Sequence, residues 1–361
     1  MPADVTATGA LIVDLDALAR NFHKLREAAA PAECAAVVKA NAYGLGVVPV
    51  ARRLLREGCR TFFVATLVEG RELRAVAPDS AIYVFEGALD GHVAALVENG
   101  LTPVLSSLAQ VERWAEDAPK RAAAVHVDTG LSRLGMTARE VETLAGRSAL
   151  LDRLDVRYVV THLACADEPE HPLNDDQLRR FDALRARLPP SKTSIGNSAA
   201  IFSDARHRGD LVRPGIALYG GNPFRDRPNP LETVVTLRAR ILQIREVDEA
   251  VTVGYGATYV AAPPARLAVV GVGYADGYLR KLGNAGTAAV NGTRVPVVGR
   301  VSMDLTCIDV SAVPPRDVRV GDWVELIGPT VTLDEVAEAA GTLSYEILTR
   351  LGPRLHREYR G

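Results

Sequence analysis

The stretch AAVVKANAYGLGVVPVARRLLREGCRTFFVAT, residues 35–66, decides the fold of this 361-residue chain. It opens on an apolar run ending at Lys39, passes through a Gly-containing turn, and continues as VVPVARRLLREG with apolar residues at helical spacing. It closes on a second apolar run, TFFVAT. Short runs without polar alternation are buried on both faces, and a helix between two of them makes a parallel β/α unit. The unit repeats. Further runs are AIYVFEG, LTPVLS, AAAVHVD, VRYVVTHLA, TSIGN and GIALYG, separated by helical patterns such as LVEGRELRAV, GHVAALVENG and NDDQLRRFDALRARL. Eight runs within residues 1–235 match a (β/α)8 barrel in count and length. A doubly wound sheet shows the same alternation, so periodicity alone leaves closure undecided.

Beyond residue 235 the texture changes. TVVTLRARILQIREV, ATYVAAP, ARLAVVGVGYADG, TAAVNGTRVPVVG, LTCIDVSAV and DWVELIG read as closely spaced strands punctuated by Gly, Pro, Asn and Asp. Helical periodicity returns at LDEVAEAAG and near the C-terminus. The expected fold class is therefore α/β, with a TIM-type barrel over residues 1–235 and a mainly-β domain over 236–361, against which residues 1–10 pack.

Composition narrows the function classes. A net charge of -2 gives no reason to expect nucleic acid or an anionic membrane. No apolar run reaches the length of a bilayer span, and MPADVTATGALIVDLDALAR lacks a signal-peptide pattern, so a cytoplasmic location is the expectation. Cys34, Cys59, Cys165 and Cys307 are scattered without a C-x-x-C pair and are read as small reduced core residues; no metal is expected. Lysine is scarce, at Lys24, Lys39, Lys120, Lys192 and Lys281 only, so few amines are available for chemistry.

Lys39 stands at the end of a β-run, where a barrel strand delivers its last residue to the catalytic face. Burial there disfavours the charged amine, and a neutral amine is what condenses with an aldehyde. On local pattern alone, a lysine snorkelling from a strand end into solvent is the other, less favoured reading.

VVKANAYGLG is very similar to the cofactor-lysine motif of alanine racemases, and further family-like motifs follow in order. They are DTGLSRLG at 128–135, THLACAD at 161–167, GNSAA at 196–200, RPGIALYG at 213–220, GYGATY at 254–259, GYADGY at 273–278 and GRVSMD at 299–304. The resemblance implies pyridoxal 5'-phosphate carried by Lys39, a barrel with a C-terminal β-domain, and interconversion of L- and D-alanine, the D-isomer serving bacterial peptidoglycan. Inversion needs an acid/base on each face, and the resemblance supplies Tyr255 as the second, supported by His162 and Arg213. A phenol ordinarily titrates near pH 10, so it needs such help. Arg213 is implied to face the pyridine nitrogen, where a donor-only guanidinium leaves that nitrogen unprotonated. The phosphate-binding positions implied are Tyr43, Asn197, Ser198, Gly215, Ile216 and Tyr345. Arg133, whose planar fork suits a carboxylate, and Met303 would meet the substrate, joined by Tyr274. In the family Tyr255, Tyr274 and Met303 come from the partner subunit, which implies a homodimer with shared sites.

The chain also departs from the pattern. Where many members have a lysine, often carbamylated, seven residues before the arginine matching Arg133, this chain has His126. Histidine does not supply the negative charge that orients the arginine, so a bound anion or a different His126 contact must serve. Ser302 replaces a common cysteine and Gly254 a common serine. A methyl-sized pocket separates neighbouring side chains by only about 1–3 kcal/mol. A broad-specificity racemase acting on alanine and serine is therefore the alternative. A related decarboxylase is disfavoured because Arg213 occupies the place of its acidic partner. A non-catalytic pyridoxal-phosphate carrier is disfavoured by the β-domain bearing Tyr255.

Overall fold

The computed structural model describes residues 6–361. It divides into two compact units, one of Ala19–Leu218 with Asn222–Pro230, the other of the chain up to Leu18, Tyr219–Gly221 and Leu231–Gly361. In the first unit seven parallel strands lie side by side in sequence order: Ala36–Val37, Thr61–Val64, Ala81–Val84, Thr102–Leu105, Ala122–His126, Asp155–Val160 and Lys192–Ser194. An eighth, Leu211–Val212, pairs in parallel with Glu33–Cys34, the segment leading into the first. The N–H groups of Ala35 and Val37 donate to the carbonyls of Val212 and Pro214 at 3.0 Å, and the Arg213 N–H donates to the Gly196 carbonyl at 2.8 Å. The eighth strand is thus bonded on both sides, and the curled sheet closes as a barrel.

Seven of the eight apolar runs are strands, but GIALYG is not. Ile216–Tyr219 forms a buried 3-10 turn, and the eighth strand lies just before it. Pro214 has no N–H for a ladder. The N–H groups of Gly215 and Ala217 turn instead to Ser198 Oγ, at 2.9 and 3.3 Å.

After the first strand the chain makes an unusual turn. Ala40, Asn41, Ala42 and Tyr43 all have positive φ, between 52° and 55°. Left-handed conformation costs L-residues about 1–2 kcal/mol each, so the segment persists only because its surroundings over-determine it. The Ala40 N–H donates to Glu69 Oε1 at 2.7 Å, the Val47 N–H to Asn41 Oδ1 at 2.7 Å, and the Gly44 N–H to the Ala40 carbonyl at 2.8 Å. Asn41 thereby caps the helix Val47–Arg56, whose residues Val47, Val50, Ala51 and Leu54 are buried.

The second unit is mainly β. The long strand Val235–Val247 pairs antiparallel with Gly9–Asp14, Ala265–Val270 and Trp323–Ile327. Gly9–Asp14 also pairs in parallel with the C-terminal strand His356–Arg360. Residues 9–14 therefore belong to the β-unit, and the barrel unit begins at Ala19 rather than at the chain's start. Thr287–Val290 and Thr293–Pro296 form a hairpin over Asn291 and Gly292, both at positive φ as a two-residue turn of primed type demands. The expected C-terminal helical segments are the helices Leu333–Ala340 and Ser344–Arg350. All four cysteines are free; Cys34 and Cys59 are buried, whereas Cys165 and Cys307 are only partly so, because they stand on a loop and on a half-buried strand face. No helix among the described residues is long and apolar enough to cross a membrane.

One buried carboxylate joins two loops of this unit. Asp276 accepts from the Gly273 N–H at 2.9 Å and from Arg354 Nε and Nη2 at 2.8 and 3.1 Å. Arg354 also reaches Asp304 at 2.7 Å, so GYADGY and GRVSMD are tied through one guanidinium. Asp276→Ala is expected to lower unfolding free energy by about 1.5–3 kcal/mol, the usual value of hydrogen bonds to a charged group. Chemical denaturation of the variant measures it; an unchanged midpoint would show that the tie carries no stability.

Candidate active site

Lys39 follows the first barrel strand directly, with its Nζ 5.8 Å from the centroid of the Phe85 ring. Its pKa is pushed below the ordinary lysine value, first by loss of hydration and then by the positive charge of Arg133, with Glu69 opposing. Both larger influences favour the neutral amine.

Arg213 lies just past the eighth strand and is 4% exposed. Its Nη1 donates to Ser194 Oγ, and its Nη2 to the carbonyls of Thr161 and Ile195 at 2.7 and 3.3 Å. Nη2 also lies 3.4 Å from His162 Nδ1. A guanidinium only donates, so His162 Nδ1 is the acceptor and its proton resides on Nε2. Burial, then the charges of Arg213 and Arg133, push the His162 pKa down to about 3. His126, at the end of the strand Ala122–His126, rests its Nδ1 3.3 Å from Ser106 Oγ. Its pKa falls to about 4, again chiefly from burial and then from Arg213. His126 is thus neutral, makes no ion pair among the described residues, and has Ser106 Oγ as its polar contact. Burial also lowers Arg213 itself to about 10, which leaves it charged at neutral pH.

Arg133 sits on an exposed loop whose backbone is closely specified. Asp128 Oδ1 accepts from the N–H groups of Gly130, Leu131 and Ser132 at 2.9, 3.1 and 3.1 Å. The loop closes where Met136 N–H donates to the His126 carbonyl at 2.8 Å and Asp128 N–H to the Met136 carbonyl at 3.0 Å. A side chain at Gly135 would meet the Asp128 backbone N at 2.6 Å, so that crossing needs glycine.

Among the residues expected to hold phosphate, Tyr43, Ser198, Gly215 and Ile216 come together and are buried. Ser198 Oγ gathers the Gly215 and Ala217 N–H groups, and a Cβ at Gly215 would lie 2.2 Å from Tyr43 Oη. The result is a buried cradle presenting the Ser198 and Tyr43 hydroxyls, with the Gly215 and Ala217 N–H groups taken up by Ser198 Oγ. Asn197 turns its Oδ1 to the N–H groups of Ala199 and Ala200, at 3.2 and 3.1 Å, and so shapes the cradle's backbone. These residues fit pyridoxal phosphate: a desolvated amine, a donor cradle for its phosphate, and a buried donor-only cation for its ring nitrogen.

The remaining expected residues belong to the β-unit and are exposed on this chain: Tyr255 at 72%, Met303 at 53%, Tyr345 at 44% and Tyr274 at 42%. Tyr274 and Met303 stand on adjoining loops, since Tyr274 N–H donates to the Ser302 carbonyl at 3.0 Å and Ala275 N–H to that of Met303 at 2.9 Å. Residues that the motifs did not single out also shape the site. Glu69 clamps the Lys39 turn; its signal was the capping pattern Thr66-x-x-Glu69. Gln177 lies wholly buried on a helix and has no comparable signature. No group of three or more potential metal ligands occurs among the described residues.

With this geometry in hand, the relatives are informative. The chain matches the family description "Alanine racemase, N-terminal domain" over residues 13–223 and "Alanine racemase, C-terminal domain" over residues 234–359. It is 48% identical to the catabolic alanine racemase of Mesorhizobium japonicum, over 100% of this chain and 96% of that one. With the alanine racemase of Rhodospirillum rubrum it shares 47% identity over 98% and 96% of the two chains. The crystal structure of alanine racemase from Bartonella henselae with covalently bound pyridoxal phosphate superposes with a TM-score of 0.94 at 39% identity, covering 98% of this chain and 100% of that one. The biosynthetic enzyme from Pseudomonas aeruginosa gives a TM-score of 0.93 at 35% identity over 99% and 100%.

The depressed histidines give the site a pH signature. His126 and His162 are neutral in the folded chain down to about pH 4 and about pH 3, but protonate near the ordinary value when unfolded. Unfolding then takes up protons, so stability present above about pH 6.5 is lost as pH falls toward the folded values. The melting temperature is expected to drop between pH 7 and 5, and to drop less in His126→Asn. An equal drop in that variant would show that His126 titrates normally in the fold.

Proposed function

The chain belongs to the alanine racemase family and is a pyridoxal-phosphate-dependent racemase of alanine, and we propose that it inverts the substrate with Lys39 and Tyr255 as two bases on opposite faces. Bound to Lys39, the cofactor supplies the electron sink that makes the α-proton removable. The observation that carries the two-base reading is the contact between Arg213 and His162. It fixes the imidazole in the tautomer whose Nε2–H is free to donate. A hydrogen bond from that N–H to a phenolic oxygen favours the phenolate, which is what Tyr255 needs to act as a base. Lys39, desolvated and beside Arg133, is the matching base on the other face and acts on the D-isomer's α-proton.

Arg133 is the candidate for the substrate carboxylate. It stands exposed at the tip of a braced loop, without a hydrogen bond or ion pair among the described residues. Since His126 is neutral and bonded toward Ser106, the substrate's own carboxylate is the anion best suited to engage this guanidinium. Met303 and Tyr274 are the candidates for the rest of the substrate pocket.

Tyr255, Tyr274 and Met303 are exposed, which supports a homodimer in which they serve the partner's barrel. Mixing Lys39→Ala and Tyr255→Phe chains tests this directly. If each site uses Lys39 of one chain and Tyr255 of the other, random mixed dimers carry one intact site and recover about a quarter of native activity. No recovery, with each variant alone retaining soluble cofactor-competent protein, would place both bases in one chain. Tyr255→Phe alone is expected to keep the cofactor and lose about 10²–10⁴-fold in racemisation, the usual contribution of a positioned acid/base.

Arg213 is the candidate for control of a side reaction. With the cofactor bound, a donor-only guanidinium at Arg213 would leave the ring nitrogen unprotonated, and the weaker electron sink would disfavour the side reaction that releases pyruvate. Arg213→Glu is expected to raise pyruvate formation from alanine. Unchanged pyruvate formation would remove this role. Relative turnover of alanine and serine separates a strict enzyme from a broad-specificity one.

A further inference from the structure

We infer that Gln177 is a positioning residue, whose one buried amide locks the loop bearing His162 to the loop bearing Arg133; the inference rests on the reading of those two as site residues. The helix Pro172–Arg185 buries Asn174, Gln177, Leu178, Phe181 and Leu184 along one stripe, and Gln177 is 0% exposed. A polar side chain in that position is costly unless every atom is satisfied. Gln177 Oε1 accepts from the Ala164 N–H at 2.8 Å. Its Nε2 donates to the His162 carbonyl and to Thr129 Oγ1, each at 3.0 Å. The three partners fix the amide's orientation, because a flipped amide would set donor against donor at Ala164 and acceptor against acceptor at His162.

The network continues beyond the amide. Thr129 Oγ1 lies 2.8 Å from Thr161 Oγ1, and both threonines are buried. Thr161 gives its carbonyl to Arg213, and Thr129 follows Asp128, the carboxylate that braces the Arg133 loop. A single path therefore runs from Gln177 to the backbone on both sides of His162, to the base of the Arg133 loop, and through Thr161 to Arg213. Arg133 has no hydrogen-bond or ion-pair partner among the described residues, so its aim is inherited from that backbone. An apolar residue would fill the same volume on the helix stripe and remove the amide tie, leaving the Thr129–Thr161 contact, the ladder bond from Val127 N–H to the Val160 carbonyl and the bond from Arg180 Nη1 to the Thr129 carbonyl. Small displacements of aim are costly when a bidentate contact must be met.

The test compares Gln177→Met, Thr129→Val and the double variant in the cofactor-loaded full chain. Active sites are counted by the visible cofactor absorbance that borohydride bleaches. Each single variant is expected to raise KM for alanine and the Kd for propionate, a carboxylate that cannot react, by about tenfold, with a smaller change in kcat. The double variant is expected to be no worse than Gln177→Met, because both changes break one path. Per-site KM and propionate Kd within about twofold of native in both single variants would overturn the inference, even if melting temperatures fall, since that pattern marks a purely structural role. If Gln177→Met does not fold, Thr129→Val decides by the same criteria. Absence of racemisation by the native protein would instead sink the proposed function, while propionate binding still decides the positioning role.

Discussion

The site depends on a cation buried without a carboxylate. Arg213 is held by two carbonyls, a serine hydroxyl and an imidazole nitrogen, and it forms no ion pair among the described residues. Such burial costs several kcal/mol unless hydrogen bonds offset it. All four acceptors lie at the ends of barrel strands or on the loops directly after them. The barrel must therefore close with its strand ends in register for Arg213 to be tolerated, and once it has closed the guanidinium fixes the tautomer of His162.

The rest of the barrel mouth follows the same electrostatic bias. Arg133 adds positive charge, while both histidines are kept neutral first by lost hydration and then by Arg213 and Arg133. A mouth of this sign suits a ligand carrying a phosphate and a carboxylate. It also explains how the chain does without an anionic partner for Arg133: His126 supplies no charge, and the loop is held by the Asp128 carboxylate acting on backbone N–H groups instead. The orientation of one side chain is thereby transferred to the geometry of a loop, which is why a fully buried glutamine on a neighbouring helix matters to it.

Lys39 is delivered by strain of another kind. Four successive non-glycine residues in left-handed conformation are unfavourable by several kcal/mol on the usual scale, and they stand because Glu69 and Asn41 each tie the turn to the start of a helix. The same carboxylate accepts from the Ala65 N–H at 2.7 Å, so the loops after the first and second barrel strands share one brace. The helix Leu67–Val76 thus does two jobs, covering the sheet and holding the Lys39 turn.

Sequence by itself determined the strand content, the change to β texture near residue 235, and the chemistry available at Lys39, because periodicity and residue type are local properties. It misplaced the eighth strand, since the apolar run GIALYG carries no mark of the backbone donors that Ser198 draws away. Motif resemblance picked out Arg213 and His162, but the tautomer of the histidine follows only from which nitrogen the guanidinium faces. Tertiary structure alone decided that the strand joining the β-unit runs on to Asp14, that His126 is neutral and turned to Ser106, and that Gln177 has an interior role. Each of these is set by partners far apart in the chain, and long-range contacts leave no periodic trace in the residues that make them.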